Sequence, residues 1–184
     1  MMYEQFKMRA EGVGSEVYRF KTKIEALDFI IQFLRKEGVV DAPHAYALWA
    51  EGPFLSGIDR TALKDNLPGL KFEVTRQLAA DSLVGISEVG YALKDTGSLV
   101  TDQTEVGQRL VSTLSAIHVA IIGTDNILDG KTDVFKIINP GNSKYIAFIT
   151  GPSRTADIER VLTIGVHGPK RLVIIFVDES GGAS

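Results

Sequence analysis

Hydrophobic and polar positions follow two periods along this chain. From Ile24, apolar residues recur at Leu27, Ile30, Ile31 and Leu34, the spacing that places them on one face of a helix. Thr22 with Glu25 three residues on makes a capping box at its start, and Gly38 supplies its stop. The spacing therefore predicts a helix whose five apolar residues, Ile24 included, turn inward. Elsewhere the apolar residues gather in short runs bounded by turn residues: Tyr46–Trp49, Leu70–Val74 after Pro68-Gly69, Leu83–Ile86, Ile117–Ile122, Tyr145–Ile149 and Leu172–Val177. Such runs read as strands, and the continuous ones as strands covered on both faces. Trp49 is predicted to be a core aromatic. Tyr91–Leu93 and Ser98–Thr101 flank Lys94-Asp95-Thr96-Gly97, a hairpin in which Gly97 can take positive φ.

Helical spacing returns between the later strands. Arg109–Leu114 reads as the end of a helix, and Asp125–Ile138 carries apolar residues at mixed helical spacing across Gly130. Thr155–Thr163 is predicted to be a helix with Ile158, Val161 and Leu162 inward. The second half thus alternates strand, helix, strand, helix, strand. That order predicts an α/β fold, a three-layer α/β/α arrangement around a mostly parallel sheet. Residues 1–21 show no clear period and are expected to be a mobile or docking arm. One domain is expected over 22–178, with a polar tail at 179–184.

Composition narrows the chemistry. The chain has 184 residues, 45% of them hydrophobic, enough for a core without metal or disulfide staples. Its net charge of −3 argues against a nucleic-acid partner. It has no cysteine, which excludes a disulfide framework, a thiolate nucleophile and an iron–sulfur cluster held by this chain. Its three histidines are scattered, with no paired zinc motif. The N-terminus lacks an apolar signal core, and Leu172–Val177 is far shorter than the roughly 20 residues a membrane helix needs. A cytoplasmic protein with no membrane partner is expected. No Walker loop or dinucleotide fingerprint is present, and the cofactor stays unknown at this point.

The most informative segment is Gly151-Pro152-Ser153-Arg154-Thr155-Ala156-Asp157, placed after an apolar strand and before the predicted helix. Bare amides at a helix start, the Ser153 and Thr155 hydroxyls and the Arg154 guanidinium would together favour a small anion. The same residues also suit a plain helix cap. Thr96 and Gly97 offer a second tight turn where a ligand can approach the backbone. Glu88, at a strand end, and His167, entering the last strand, are the candidate catalytic residues, as base, nucleophile or proton donor. His167 also suits a cap on the preceding helix, and His118 reads as a satisfied core residue.

Two blocks, DSLVGISEVGYALKDTGSLV at 81–100 and ITGPSRTADIERVLTIGVHGP at 149–169, resemble the LutC/YkgG family, whose fold unit is called the LUD domain. The resemblance implies a fold similar to the NagB/RpiA/CoA-transferase group, with formyltetrahydrofolate cyclo-ligase as a relative. It implies a role beside an iron–sulfur subunit in oxidising lactate to pyruvate. It marks Thr96, Gly97, Gly151, Ser153, Arg154, Thr155, Asp157, His167 and Gly168 as site positions. The expectation is an accessory component that binds a small anionic ligand, possible also as a homo-oligomer. The open alternatives are a stand-alone transferase or ligase-like enzyme using Glu88 or His167 on a carboxylate, CoA or nucleotide substrate, and an interaction module in which the motif only stiffens the fold.

Overall fold

The computed structural model describes residues 1–102, 105–143, 145–156, 162–164 and 167–179. Six parallel strands form its central sheet. In spatial order they are β1 (Glu16–Phe20), β12 (Arg171–Val177), β7 (Ile117–Gly123), β4 (Ser82–Glu88), β2 (Tyr46–Trp49) and β3 (Leu70–Lys71). The middle strands are apolar on both sides because both sides are covered. Val119, Ile121, Val173 and Ile175 face helix α2 (Lys23–Lys36), with Trp49 fully buried in the same layer. Ala120, Ile122, Ile174 and Phe176 face the opposite side, where helix α1 (Met2–Gly12) brings Phe6 and Ala10. Helix α5 (Val106–Leu114) lies on that same side, packing Val111 with Leu48 and with Ala79 of α4 (Arg76–Ala80). The three-layer α/β architecture is as expected from the sequence.

A second sheet of four strands lies beside α1, in the order β8 (Ile127–Leu128), β5 (Tyr91–Leu93), β6 (Ser98–Asp102) and β9 (Ile146–Ile149). The predicted hairpin is β5–β6, with Gly97 at φ +68°. The run at 145–149 does form a strand, but it pairs antiparallel with β6 and not within the parallel sheet. Asp125–Ile138 is not one helical stretch. It is a 3-10 turn, then β8, then α6 (Lys131–Ile137), because Gly130 breaks the helix and serves as its cap position. The strand predicted over Leu70–Val74 pairs only at Leu70–Lys71.

Helix α2 begins as the capping box requires. Thr22 Oγ1 accepts from the Glu25 N–H at 3.2 Å, and Glu25 Oε2 accepts from the Thr22 N–H at 3.3 Å. Gly38 follows at φ +82°. Ile24 is the exception to the inward stripe, 72% exposed. At about 100° per residue it lies about 120° around the helix from Ile30, off the face that meets the sheet.

Two further expectations are corrected. Thr155–Thr163 does not form the predicted helix: β10 (Arg154–Ala156) pairs antiparallel with β11 (Leu162–Ile164). The β-branched residues Thr155, Thr163 and Ile164 favour extended backbone, and cross-strand bonds replace the helical ladder. Ile158 and Val161, expected inward on that helix, lie outside the described residues. Residues 1–21, expected to be a mobile or docking arm, have regular structure. They hold α1 and the edge strand β1, which pairs with β12 from Glu16↔Val173 to Phe20↔Val177.

Helix α1 is seated by close backbone approach. A Cβ at Gly97 would lie 2.7 Å from Ala10 Cα, and one at Gly151 would lie 2.6 Å from the Val13 carbonyl oxygen. Both glycines have positive φ, +68° and +70°. From the other side, the rings of Tyr3 and Phe6 meet Phe176 edge-on at 5.3 and 5.2 Å. Gly97→Ala combines backbone strain with a steric clash. It is expected to lower unfolding free energy in urea by about 2–4 kcal/mol and to raise amide exchange across α1 first.

His118 on β7 is 1% exposed, with Nε2 2.8 Å from Ser87 Oγ and Nδ1 without a partner. Burial pushes its pKa down to about 4, so it stays neutral in the folded chain. The unfolded histidine titrates near 6.5. The folded state therefore loses stability as pH falls from about 6.5 towards about 4. Urea unfolding is expected to show wild type losing up to about 1.4 kcal/mol per pH unit more than His118→Gln in that window.

Candidate functional site

The chain leaves β2 towards β3 at the sheet edge and leaves β4 towards β7 in the opposite direction. Helix α3 (Arg60–Asn66), which packs Leu63 into the α2 layer, lies on the first route, and α5 on the second. The two connections part between β2 and β4. In open α/β sheets, the crevice at the carboxyl ends of such a strand pair is where ligands bind.

Glu88 ends β4 at the carboxyl end of that strand pair. Its Oε1 accepts from the Phe54 N–H at 2.5 Å, and its Cδ lies 3.0 Å from where a Cβ on Gly52 would stand. The turn Pro53–Leu55 after β2 thus closes onto the carboxylate, and only a glycine at 52 leaves room for it. Burial raises the Glu88 pKa; the Phe54 N–H and the Lys23 ammonium hold it back, and Glu51 pushes it up. Lys23 Nζ donates to the Ser56 carbonyl at 2.6 Å and sits 5.3 Å over the Phe54 ring. Arg60 grips Glu51 with two bonds of 2.7 and 2.6 Å, and Gln108 in the first turn of α5 donates to the Glu51 carbonyl at 3.1 Å. Trp49 stacks between Phe54 and Phe72 and stiffens the floor. With one oxygen held by a backbone amide, Glu88 can offer the other to a ligand, and its raised pKa brings proton exchange closer to neutral pH.

The other predicted site residues do not converge there. Gly97 and Gly151 are the seats of α1. Arg154 is exposed and donates from Nη2 to the Val13 carbonyl at 2.5 Å, so its guanidinium fastens the turn after α1. Thr96 is exposed at the hairpin tip, and Thr155 lies in strand β10 and not at the start of a helix. The Ser153 N–H donates to the Pro169 carbonyl at 2.9 Å, and Ser153 Cβ lies 3.1 Å from a Cβ placed on Gly168. The two ends of that sequence block are thereby tied together. Asp157 lies outside the described residues.

His167 is at the opposite, amino end of the sheet from Glu88, so the two catalytic candidates cannot act together. With His44, Ser82, Ser115 and Lys170 it lines an open hollow of about 530 Å³. Among the described residues the element before it is strand β11, not the helix it was expected to cap. Helices α4 and α5 both end at this hollow, with Ala80, Leu114 and Ser115 in its wall. Their carbonyl ends carry partial negative charge, which basic side chains offset. His44, at φ +64°, faces Asp81 with Nδ1 to Oδ1 at 3.8 Å.

Among the described residues no cluster of three histidine or acidic side chains is placed to hold a metal, and no helix is long and apolar enough to cross a membrane. A family model described as LUD domain matches residues 3–177. Similar proteins include three called lactate utilization protein C. That of Bacillus subtilis (strain 168) is 34% identical over 115 residues, 59% of this chain and 48% of that one. That of Deinococcus radiodurans is 30% identical over 131 residues, 68% of this chain and 58% of that one. That of Oceanobacillus iheyensis is 32% identical over 107 residues, 55% of this chain and 46% of that one. The chain spans about half the length of the curated relatives it matches. A crystal structure of a DUF162 family protein from Deinococcus radiodurans superposes with a TM-score of 0.66 over 96% of both chains at 16% identity, which shows the same fold. With the family match running from the first turn of α1 to the end of β12, the chain belongs to the LUD domain family.

Proposed function

We propose that this chain serves lactate utilization as a component with no redox centre of its own, holding a small anionic ligand beside an iron–sulfur partner. The observation that carries the reading is the LUD domain match over residues 3–177 together with relatives called lactate utilization protein C. Converting lactate to pyruvate removes two electrons. A chain without cysteine cannot hold an iron–sulfur cluster on thiolates, so in this reading the cluster belongs to the partner. The crevice between β2 and β4 suits a 2-hydroxy carboxylate: Lys23 supplies a cation for the carboxylate, and Glu88 an acceptor for the hydroxyl.

Deleting the coding sequence of this chain from its host is expected to abolish growth on L-lactate as sole carbon source, with restoration by the wild-type chain. The purified chain alone is expected to give no lactate-dependent dye reduction, and the chain with its iron–sulfur partner to give it. Undiminished growth of the deletion strain would remove the reading.

Glu88 supports a second reading, a transferase or ligase-like enzyme acting on an anionic carboxylate, CoA or nucleotide substrate. A half-buried carboxylate at the parting of two connections is where such chemistry would sit. Turnover by the isolated chain, lost in Glu88→Gln, would favour it over the accessory role. Stability separates function from folding in this variant. Because the folded Glu88 pKa is raised, its contribution to stability is present at low pH and is lost as pH rises through that pKa. Glu88→Gln keeps the acceptor for Phe54 and removes the charge. It is expected to melt above wild type at pH 8 and level with it at pH 4, while lactate-dependent activity of the reconstituted pair drops by about tenfold or more.

A further inference from the structure

The two larger sheets have four edges, and three are guarded against an added strand. β3 and β8 are two residues long. β1 carries Glu16, paired with Arg171, and Arg19, paired with Asp178. β9 has no such device. Ile146-Ala147-Phe148-Ile149 contains neither charge nor proline, and among the described residues it pairs on one side only, with β6. Natural proteins rarely leave a strand edge in this state unless something uses it.

The surface beside that edge is apolar. Phe135 is 53% exposed, Tyr145 45% and Phe148 36%. The rings of Phe135 and Phe148 are 6.3 Å apart. Phe148 lies opposite Val100, which packs with Val134, so it shares the outer face of the small sheet with α6. An exposed aromatic cluster at an open edge marks an interaction surface.

Charge selects the occupant. Lys131 Nζ lies 5.4 Å from the Phe148 ring centre and the Arg109 guanidinium 5.2 Å from that of Tyr145. Neither is paired with a carboxylate among the described residues, whereas Lys136 is neutralised by Asp133 at 2.7 Å. Asp102, opposite Ile146, accepts from the Ser143 hydroxyl at 2.6 Å. A second copy related by a twofold axis at β9 would set Lys131 and Arg109 near their own images. An acidic strand would meet them with opposite charge.

We propose that the open edge of β9 takes an extended, acidic and apolar segment of a partner protein as a fifth strand of the small sheet. Main-chain bonds along β9 supply the affinity, apolar side chains rest on Phe148 and Phe135, and carboxylates meet Lys131 and Arg109. That the partner is the iron–sulfur subunit rests on the reading above; the strand addition does not.

The test uses the full chain and a short synthetic peptide alternating glutamate with phenylalanine or isoleucine, against a twin with lysine for glutamate. Fluorescence anisotropy is expected to show the acidic peptide binding at least about tenfold tighter than its twin, less tightly as salt rises. Backbone amide shifts are expected to concentrate at 146–149. Phe148→Asp and Lys131→Glu should each weaken binding by about tenfold, with circular dichroism and Tm unchanged. Lys131→Glu, on an exposed side chain, keeps the test intact should Phe148→Asp disturb the fold. Equal affinity for the twins, no binding, or shifts away from β9 would overturn the proposal. So would a dimer that Phe148→Asp dissociates, which would give the edge to a second copy. Each of these outcomes leaves the lactate growth test standing, so the two readings fail separately.

Discussion

Ala120, Ile122, Ile174 and Phe176 point to the side of the central sheet that α2 does not cover, and burying them is the constraint from which the rest of the structure follows. A parallel sheet leaves both faces apolar, so a second layer has to be found for it. Helix α1, from the start of the chain, supplies that layer with Phe6 and Ala10. For it to lie close enough, the backbone must come nearer than side chains allow at Gly97 and Gly151, and Arg154 must hold the turn that follows. Gly97, Gly151 and Arg154, three of the residues that read as a ligand site in the sequence, are thereby engaged in seating α1.

The carboxyl ends of β2 and β4 carry the candidate site. Glu88 is fixed there by an amide 34 residues earlier in the chain, and the Gly52-Pro53 turn exists in the shape that lets the amide reach it. The basic residues at the amino end answer a different demand, the negative ends of α4 and α5. Two sets of polar residues, each plausible as a site by type, thus separate on electrostatic grounds. One offsets helix dipoles, and the other holds a carboxylate partly out of water where nothing fully neutralises it.

How much of this was legible in the sequence follows the range of the interactions. Helix α2, with its capping box, and the β5–β6 hairpin, with Gly97, are decided by residues a few positions apart, and both are as expected. The strand at 146–149 was legible as a strand. Its partner was not, since an apolar run carries no record of which sheet receives it. The segment at 154–164 has apolar residues at helical spacing, yet Arg154–Ala156 and Leu162–Ile164 pair as antiparallel strands, a cross-strand choice that overrode the local period. Helix α1 escaped notice because only Phe6 and Ala10, one turn apart in a polar stretch, are buried. Glu88 was visible as a carboxylate at a strand end. The Phe54 amide and Lys23 that give it its character were not, because the fold alone brings them near.

The small sheet gives this arrangement a direction. Its first strand, β5, starts at Tyr91, three residues beyond Glu88, so the sheet is covalently continuous with the crevice. Adjacent strands lie about 4.8 Å apart, and a strand added beyond β9 would stand about 14 Å from β5. In that sheet β5, β6 and β9 are bonded edge to edge. A partner held at that edge would therefore be rigidly placed with respect to β5, which leads back to Glu88 in three residues. On the proposed reading, a partner placed there would bring its iron–sulfur centre to the ligand this chain holds.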